Sequence, residues 1–273
     1  MKPRTARCLL GAAAATTAGM AGVWVWANDL SLPAVDPCRY RRVMAVFPHP
    51  DDETVGCGGT LHRVAGCGGH VTLVVLTRGE SGGGPAARGP ALAVRRSQEM
   101  RLAADHLRVG RLVQMGLPDG GLQDRVPELK CALTAAMRSE APDLVITYDP
   151  SGMYGHTDHV TCSLVVSELT RVIVPAADLW YVAVPGRLRA LLVRAGSLPA
   201  ASSLPHAPLP AQVRVGIRGS VRAKGRAWRA HQSQQGAIGG ALGALVPGWA
   251  LVWVSPYEYF HRGPARSAAG PEL

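Results

Sequence analysis

The chain alternates short apolar runs with longer segments whose apolar positions recur every three or four residues. The short runs predict β-strands at 42–48, 71–77, 111–115, 143–148 and 179–184. The periodic segments predict helices near 58–67, 91–108, 126–140, 158–174 and 220–234. Strands that alternate with helices favour an α/β fold, because each crossover helix covers one face of a parallel sheet. We therefore expect a Rossmann-like three-layer sandwich with a mostly parallel sheet and helices on both faces.

Other segments interrupt this order. Residues 250–261 begin with a strand-like run, Leu251–Val254, and residues 185–222 carry no distinct motif. Two stretches rich in glycine and proline, 82–90 and 196–210, predict loops at the strand-end edge of the sheet. Loops of this length are often functional, so we consider two alternatives for them, lids over a bulky substrate and plain surface loops.

The first 30 residues form a separate unit. Basic residues within 2–7 precede an apolar stretch from 8 to 27 that is rich in alanine. Such a start is typical of a signal peptide, and residues 25–27 resemble a small-residue cleavage site. The stretch is also long enough to span a bilayer as an uncleaved membrane anchor. Both alternatives predict an exported protein, secreted or membrane-anchored, whose single main domain, 38–265, lies outside the cytoplasm.

The chain is strongly basic. Its 273 residues include 29 Lys and Arg against 19 Asp and Glu, which gives a formal net charge of +10. The arginines are scattered, aromatic residues make up only 5% of the chain, and no nucleic-acid-binding motif is present. We therefore expect no nucleic-acid partner. The excess charge predicts a solvated basic face, or one that favours an anionic substrate or surface.

Six cysteines are present, and their spacing contains no C-x-x-C or other zinc-type pattern. We therefore do not expect cysteine as a metal ligand. Cys57 and Cys67 could pair across the first helix, although the pairing is not fixed by sequence and an odd number beyond the N-terminal segment leaves a thiol free. Cys131 and Cys162 lie on apolar helical faces and are expected to be small buried residues.

The run Pro48–Glu53 (PHPDDE) directly follows the apolar run Val43–Phe47 and leads into a glycine-rich stretch. A buried strand that ends in this way places chemistry at the carboxyl end of a sheet, where open α/β folds bind ligands. His49 and Asp52 supply two ligand types that zinc takes, and Asp51 between them could hold a water against that metal. The alternative is an acidic turn that caps a helix. Capping needs only one acid, however, and gives no reason for a histidine between two prolines.

A second cluster follows the apolar strand at 143–148. Residues 149–159 (DPSGMYGHTDH) contain His156, Asp158 and His159. A lone histidine at such a place is more often a satisfied surface or core residue than a ligand. Two strand-end clusters that each combine histidine with aspartate are harder to dismiss. His49, Asp52 and either His156 or His159 would supply three ligands and leave one coordination position open. This arrangement is typical of catalytic zinc.

These motifs resemble those of the LmbE/PIG-L family of zinc-dependent N-deacetylases, which act on substrates that contain N-acetylglucosamine (GlcNAc). The PHPDDE run and Gly155–His159 (GHTDH) carry the resemblance, with threonine at 157 where proline is common in the family. Four further segments are similar to family motifs: Thr77–Gly82 (TRGESG), Arg95–Glu99 (RRSQE), Leu117–Gly120 (LPDG) and Lys224–Gln234 (KGRAWRAHQSQ). The resemblance covers roughly residues 42–160 and the last of these segments. A double motif is far more specific than a single glycine-rich one.

The resemblance implies one zinc ion per chain, with other divalent metals as alternatives, held by His49, Asp52 and His159. Asp51, which does not ligate if Asp52 does, would accept the proton of the attacking water and later deliver it to the leaving amine. His156 would face the developing oxyanion as a protonated donor.

Further roles follow from the same resemblance. Asp158 would orient or charge one of the imidazoles of the second cluster. Tyr154 would add a second donor to the substrate carbonyl. Glu80 and Arg96 would bind the sugar, and the alternative for these two is an ordinary surface role or an internal pair between Arg96 and Glu99.

The resemblance also implies the reaction, an amide hydrolysis that removes the N-acetyl group from the GlcNAc unit of a larger glycoconjugate. The predicted export, the long loops and the apolar tail favour a glycopeptide-antibiotic pseudoaglycone as the acceptor that carries the sugar. The alternatives are a GlcNAc-phosphoinositol-type lipid or a thiol-sugar precursor. Membrane association through the N-terminal segment is a further expectation, and the oligomeric state is open.

A protein of another class must also be considered, namely a non-catalytic glycan- or nucleotide-binding α/β protein. The glycines at 56–59 lack the G-x-G-x-x-G spacing of dinucleotide-binding proteins, and no Walker-type lysine follows a predicted strand. The site residues that the family resemblance calls for are all present, which favours the enzyme.

Overall fold

The computed structural model describes residues 28–82, 88–235 and 255–264. Its centre is a seven-stranded sheet in the order β3-β2-β1-β4-β5-β7-β6. The strands are β1 (Arg42–Phe47), β2 (His70–Thr77), β3 (Arg111–Leu117), β4 (Leu144–Tyr148), β5 (Asp178–Val182), β6 (Val213–Gly216) and β7 (Tyr257–Arg262). Strands β1 to β5 are mutually parallel, whereas β7 runs antiparallel to β5 and to β6. The expected mostly parallel sheet is confirmed.

Helices connect the strands and cover the sheet. They are α1 (Asp52–Gly66), α2 (Pro90–His106), α3 (Val126–Glu140), the short α4 (Gly152–Gly155), α5 (Thr157–Ile173), α6 (Gly186–Arg194) and α7 (Val221–Ala230). Short 3-10 turns occupy Pro37–Arg39, Leu122–Arg125, Ala201–Ser203, Arg218–Ser220 and Gln232–Gln234.

Successive side chains of β1 point to opposite faces of the sheet and enter two different cores. Val43, Ala45 and Phe47 belong to the core that α1, α2 and α7 cover, whereas Met44 and Val46 belong to the core beneath α3 and α5. None of these side chains is more than 1% exposed. A strand that is buried on both faces has a continuous apolar sequence, as parallel strands commonly do. The expected three layers, with helices on both faces of the sheet, are confirmed.

The strand order places β1 between β2 and β4. The chain extends the sheet from β1 through β2 and β3 in one direction, and then adds β4 and β5 on the other side of β1. This reversal is a topological switch point, where open α/β sheets form their ligand sites in the crevice at the strands' carboxyl ends. The two clusters of histidine and aspartate follow β1 and β4, so they meet there although His49 and His159 are 110 positions apart.

Helix α1 begins at Asp52 and not near residue 58, where its start was predicted. Asp51 occupies the N-cap position, and the carboxylates of Asp52 and Glu53 lie in the first turn, where the helix dipole favours negative charge. The glycine-rich stretch therefore lies inside the helix. At Gly59 a Cβ atom would come within 2.6 Å of Ile217, so this glycine allows close packing.

Residues 185–222 contain α6 and β6, neither of which the sequence analysis predicted. Strand β6 pairs with β7, so its strand character depends on a partner distant in sequence. The strand-like run Leu251–Val254 and residues 83–87 of the first predicted loop lie outside the described residues. The second loop contains the 3-10 turn Ala201–Ser203, and a lid function for either loop stays a prediction.

A disulfide joins Cys38 to Cys67, whose Cα atoms are 5.6 Å apart. The suggested pair of Cys57 with Cys67 is wrong. Cys57 is buried in the core on the inner side of α1, and Cys67 lies at the end of that helix, ~15 Å farther along its axis. Cys162 is buried as expected, whereas Cys131 is exposed, so the expectation of a buried thiol at Cys131 is wrong.

The predicted signal peptide or membrane anchor lies outside the described residues, except for its last three positions. Of the helices in the described part of the chain, none is both long enough and apolar enough to cross a bilayer. Export and membrane association through the N-terminal segment stay predictions.

Candidate active site

Two loops at the switch point bring the chemically active side chains together. One loop links β1 to α1, and the other links β4 to α5 through the short helix α4. The first loop and the start of α1 carry His49, Asp51 and Asp52, and the second loop and the start of α5 carry Tyr154, His156, Asp158 and His159.

Three side-chain atoms of the predicted metal ligands lie close together. Nδ1 of His49 is 3.2 Å from Nε2 of His159 and 3.4 Å from Oδ2 of Asp52. Nε2 of His159 is 3.6 Å from the same oxygen of Asp52. Ligand atoms on a tetrahedral zinc, with bonds of about 2.0–2.2 Å, are separated by ~3.4 Å. Two imidazole nitrogens and one carboxylate oxygen at this spacing therefore fit a divalent metal with one coordination position left open.

The protonation states of these groups also suit metal binding. Burial lowers the pKa of His159 to about 4, so its imidazole is neutral and keeps a lone pair for a metal. Burial alone would raise the pKa of Asp52, but His159 and His49 outweigh it and hold that pKa below its usual range. Tyr148 fixes both partners, because its hydroxyl donates to Oδ1 of Asp52 at 2.9 Å and its ring stacks on His159 with 4.6 Å between centroids.

Two carboxylates hold the other ring nitrogen of His49. Its Nε2 lies 3.0 Å from Oδ1 of Asp119 and 3.1 Å from Oδ2 of Asp158. Burial opposes protonation of His49, but the hydrogen bonds to Asp119, Asp158 and Asp52 raise its pKa overall. The raised pKa favours a proton on both nitrogens, so a metal at Nδ1 would displace one of them. The two carboxylates would then keep the other proton on Nε2, which is the tautomer that a metal ligand at Nδ1 requires. Asp119 was not predicted as a site residue, and its only sequence signal was its place in the LPDG segment.

Asp158 is fully buried, and its carboxylate also accepts the backbone N–H groups of Gly120 at 2.7 Å and Leu122 at 3.1 Å. Its side-chain partner is His49 of the first cluster. From sequence, Asp158 was expected to orient or charge an imidazole of its own cluster. Burial lowers the pKa values of His156 and His159, and the negative charge of Asp158 acts to raise them. The side chain of Asp158 in addition binds His49. The turn after β3 places the N–H groups of Gly120 and Leu122 against Asp158. These bonds orient the carboxylate towards His49, on the other side of the switch point.

Asp51 has φ 104° and ψ −29°, a left-handed conformation that residues with side chains rarely adopt. Its backbone N–H donates to Oε2 of Glu53 at 3.0 Å. Oε1 of the same carboxylate lies 3.1 Å from Nε2 of His231, the residue at the end of α7. Both side chains of this pair are fully buried. Strained backbone held by a buried network is typical of active sites. No site role was predicted for Glu53 or His231 from sequence, although both lie in segments that resemble family motifs.

The pKa of the Asp51 carboxyl group lies close to neutral pH. Burial and the negative charge of Asp52 raise the pKa of Asp51 to about 7, against the opposing effect of Arg96. Nη2 of Arg96 lies 3.5 Å from Oδ2 of Asp51. A carboxyl group with such a pKa can accept a proton and release it again at neutral pH, which is what a general acid–base catalyst must do.

Arg96 is only 3% exposed and holds the loop around Asp51. It donates to the carbonyl oxygen of Gly79 at 2.9 Å and to that of Pro50 at 2.5 Å. The alternative internal pair of Arg96 with Glu99 is not formed, because Glu99 pairs with Arg95 at 3.0 Å. The guanidinium therefore links the loop after β2 to the loop that carries Asp51.

His156 forms the N-cap of α5. Its Nδ1 accepts the backbone N–H of Asp158 at 3.2 Å. This bond requires a lone pair on Nδ1, so the neutral ring carries its proton on Nε2. Burial and then the positive charge of His49 lower the pKa of His156. The expectation of a protonated His156 is therefore corrected to a neutral imidazole that donates through Nε2.

Tyr154 is 47% exposed, and its hydroxyl lies 3.4 Å from Nε2 of His159. The preceding Met153 has φ 64° and ψ −64°, a strained conformation inside α4. Burial and the charge of Asp52 raise the pKa of Tyr154, so its hydroxyl keeps its proton. The structure thus brings this predicted donor to the predicted metal ligands.

Glu80 lies on the loop after β2, at the edge of the site. Its Oε1 accepts the backbone N–H of Asp119 at 3.0 Å. Its Oε2 is buried and has no hydrogen-bond partner among the described residues. A buried carboxylate oxygen without a partner is unfavourable, so a hydroxyl group of a bound ligand would stabilise it.

Comparison with known proteins identifies the family. The family model described as PIG-L, GlcNAc-PI de-N-acetylase, matches residues 44–170. A 1D-myo-inositol 2-acetamido-2-deoxy-alpha-D-glucopyranoside deacetylase from Rhodococcus erythropolis is 30% identical over 240 residues, which cover 71% of this chain and 81% of that protein. The enzyme of the same name from Mycobacteroides abscessus is 36% identical over 151 residues, which cover 46% of this chain and 54% of that protein.

Solved structures agree in fold. N,N'-diacetylchitobiose deacetylase from Pyrococcus horikoshii has a TM-score of 0.61 at 22% identity, over 89% of this chain and 92% of that one. The A40926 pseudoaglycone deacetylase Dbv21 also has a TM-score of 0.61, at 19% identity, over 84% of this chain and 99% of that one. At these identities the likeness shows a shared fold. From the sequence matches, the chain belongs to the PIG-L (LmbE) family and is a metal-dependent N-deacetylase of a GlcNAc-containing substrate.

Proposed function

We propose that the chain removes the N-acetyl group from a GlcNAc unit linked to inositol, either as a free pseudodisaccharide or as the head group of a lipid. The observation that carries the hydrolytic chemistry is the spacing of His49, Asp52 and His159 beside the carboxyl group of Asp51. The inositol acceptor is supported by the Rhodococcus erythropolis relative and by one of the same name from Salinispora arenicola, 32% identical over 241 residues.

This substrate was an alternative in the sequence analysis, and we now prefer it to the glycopeptide-antibiotic pseudoaglycone. The A40926 pseudoaglycone deacetylase resembles the chain at 19% identity, which supports a shared fold and not a shared substrate. The inositol deacetylases match at 30% identity or more. Specificity for the acceptor depends on the loops around the site, and these vary most within a fold.

The metal that suits the site best is zinc, one ion per chain. His49, Asp52 and His159 would hold it, and their two nitrogens and one oxygen are a donor set that zinc accepts in catalytic sites. When bound, the ion would supply a Lewis acid that polarises the acetamide carbonyl and lowers the pKa of water. Asp119 and Asp158 would keep His49 in the required tautomer.

Asp51 acts as the general base and then as the general acid. It takes a proton from the water that attacks the acetamide carbon. It then gives this proton to the amine nitrogen as the C–N bond breaks, which leaves acetate and a free glucosamine amine. A pKa of about 7 permits both transfers at neutral pH. Arg96 and Glu53 are positioning residues, because one contacts the carboxyl group of Asp51 and the other its backbone N–H.

His156 and Tyr154 stabilise the negative charge that develops on the carbonyl oxygen. His156 donates through Nε2, since its Nδ1 is engaged by the start of α5. Tyr154 donates through its hydroxyl, because its raised pKa keeps this group protonated. Glu80 offers its unpaired Oε2 to a sugar hydroxyl. Glu80 and Arg96 were both expected to contact the sugar. In this proposal Arg96 instead holds Asp51 in place, and Glu80 alone makes the sugar contact.

The test is a measurement of acetate and free amine released by metal-loaded protein from three substrates: GlcNAc-inositol, a GlcNAc-phosphatidylinositol lipid in micelles, and a GlcNAc-bearing glycopeptide pseudoaglycone. We expect turnover of one or both inositol substrates and a much lower kcat/KM for the glycopeptide. The first two substrates distinguish the free from the lipid-linked acceptor. Preference for the glycopeptide would contradict the acceptor assignment. Metal binding without turnover of any acetamido sugar would favour a glycan-binding protein.

A further inference from the structure

Helix α7 has an outer face that consists of arginine. Arg222, Arg226 and Arg229 follow one another at helical spacing and are all exposed. The apolar side of the helix is already buried in the core, through residues such as Ala227 and Trp228. The outer face is therefore not an apolar surface that awaits a packing partner. It is a row of cations on an element that the core holds rigid.

Arg108, which follows α2, extends this row, because α2 packs against α7. Arg108 and Arg226 both lie close enough to His62 that, after burial, their charges lower the pKa of His62. We call Arg108, Arg222, Arg226 and Arg229 the arginine face. Residues 218–230 contain no acidic residue at all. Within the described part of the chain, none of these four guanidinium groups forms a salt bridge.

The arginine face is connected to the active site through its own helix. His231 ends α7, and its imidazole contacts Glu53 beside Asp51. Ser233, in the following 3-10 turn, donates to Glu99 of α2 through its backbone and its hydroxyl. A surface that docks on the arginine face would therefore be held at a fixed position relative to the site.

We propose that the arginine face docks the enzyme on the surface of a bilayer that contains anionic phospholipid. Clusters of about four or more Lys or Arg residues are typical of peripheral binding to anionic lipid, and guanidinium groups pair well with phosphate. The arginine face supplies four, three of them on α7. Uncompensated guanidinium groups repel one another, and an anionic surface relieves this repulsion.

The rest of the chain favours lipid over nucleic acid as the partner. The sequence that follows α7 and its 3-10 turn carries no charged residue from 236 to 254 and contains two tryptophans. Tryptophan and uncharged apolar residues are enriched where proteins meet the membrane interface. A nucleic-acid surface would instead continue with cations and interleaved aromatic residues.

The test is co-sedimentation of the full chain with vesicles of phosphatidylcholine alone and of phosphatidylcholine mixed with phosphatidylglycerol. The test variant carries Arg222→Gln, Arg226→Gln and Arg229→Gln. The matched control carries Arg125→Gln, Arg138→Gln and Arg171→Gln, which removes the same charge near the other face of the sheet. Thermal unfolding checks that both variants are folded.

We expect the wild type to bind the mixed vesicles more tightly than the neutral ones, and added salt to weaken this preference. The test variant should lose on the order of a hundredfold in partitioning to the mixed vesicles, about fivefold for each arginine. The control should change little. Activity on soluble GlcNAc-inositol should be the same in all three proteins, so failure of docking is distinguishable from failure of the proposed reaction.

Three results would overturn the proposal. Equal binding to neutral and anionic vesicles would show that charge is not what docks the protein. An equal loss of vesicle binding in the test and control variants would show that binding depends on net charge and not on the arginine face. Binding to duplex DNA that the test variant loses, without any preference for anionic vesicles, would assign the arginine face to nucleic acid.

Discussion

Nε2 of His231 lies 3.1 Å from Oε1 of Glu53, although the two residues are 178 positions apart. The second oxygen of Glu53 accepts the N–H of Asp51, so a helix late in the chain braces the backbone of the proposed general base. Burial opposes protonation of His231, but the charge of Glu53 raises its pKa, in keeping with an ion pair inside the protein. Removal of one partner leaves the other charge buried and uncompensated.

We expect His231→Ala to lower kcat by ~10- to 100-fold, because displacement of a catalytic group by about 1 Å can reduce the rate to this extent. KM and metal content should remain near wild-type values, since His231 contacts neither the predicted ligands nor the open side of the site. His231→Gln keeps a donor for Glu53 and should recover part of kcat. Ser233→Ala is the matched control, because it loses the hydroxyl bond to Glu99 in the same segment and keeps the backbone one. A change in KM alone would contradict a positioning role.

We expect Asp51→Asn to keep the metal and the fold and to lose ~100- to 10,000-fold in kcat, because an amide can hold a water but cannot accept its proton. Elemental analysis and steady-state kinetics on the same preparation check both parts. Asp105→Asn, at an exposed position, serves as the control. Metal loss in Asp51→Asn would make Asp51 a ligand.

His159→Ala should abolish stoichiometric metal binding, because it removes one of three closely spaced ligand atoms. Asp119→Asn should have a smaller effect. It weakens the bond that fixes the tautomer of His49, and such losses typically reduce metal affinity by ~10- to 100-fold. Competition with a chelator measures both variants. Asp124→Asn, in the neighbouring turn, should behave as wild type, and full metal content in His159→Ala would exclude His159 as a ligand.

The two roles of His156 can be separated. His156→Ala should lower kcat by ~100- to 1,000-fold through loss of an oxyanion donor, and should destabilise α5 by about 1 kcal/mol through loss of its cap. His156→Asn restores a cap acceptor, so it should recover stability without recovering kcat. Urea unfolding and kinetics on both variants make the distinction. Recovery of activity in His156→Asn would show that His156 contributes to catalysis as the cap of α5 and not as a donor to the oxyanion.

Replacement of Cys38 and Cys67 by serine should reduce the free energy of unfolding by roughly 3–4 kcal/mol, because the bond closes a loop with a sequence separation of 29. The replaced protein should keep its activity at low denaturant concentration, since the disulfide lies at the far end of α1 from Asp51. Cys131→Ser, at an exposed free cysteine, is the control. Identical unfolding of the double variant and the wild type under oxidising conditions would mean that the bond does not form.

The sequence predicted His49, Asp52 and one of two histidines as metal ligands from residue type and from position after a strand, and the structure brings these side chains together. It could not reveal that Asp158 binds His49, since that contact depends on where the turn after β3 delivers the N–H groups of Gly120 and Leu122. The protonation of His156 was misjudged for a similar reason. The lowered pKa of His156 follows from burial and from the charge of His49, and its tautomer follows from a backbone donor that exists only once α5 has formed.

Elements with local signals were predicted well, and elements that depend on distant partners were not. Strands β1 to β5 have their own apolar runs, and their predicted bounds agree within a few residues with those observed. Strand β6 is short, half-buried and stabilised by β7, so its own sequence pattern did not indicate a strand. The start of α1 was missed because Gly56, which precedes the predicted start, lies inside the helix, where a Cβ atom would come within 3.0 Å of Val182.

The reversal of strand order at β1 has a consequence for the order of events during synthesis. The metal ligands come from both sides of the reversal, so a growing chain cannot assemble the site until β4 has docked against β1 and α5 has emerged. Metal binding is then coupled to the pairing of β1 with β4, and its free energy adds to the stability only of molecules in which that pairing has formed. Strands β5, β6 and β7 follow His159 in the chain, so a metal bound at this site would stabilise the first half of the sheet before the second half is complete.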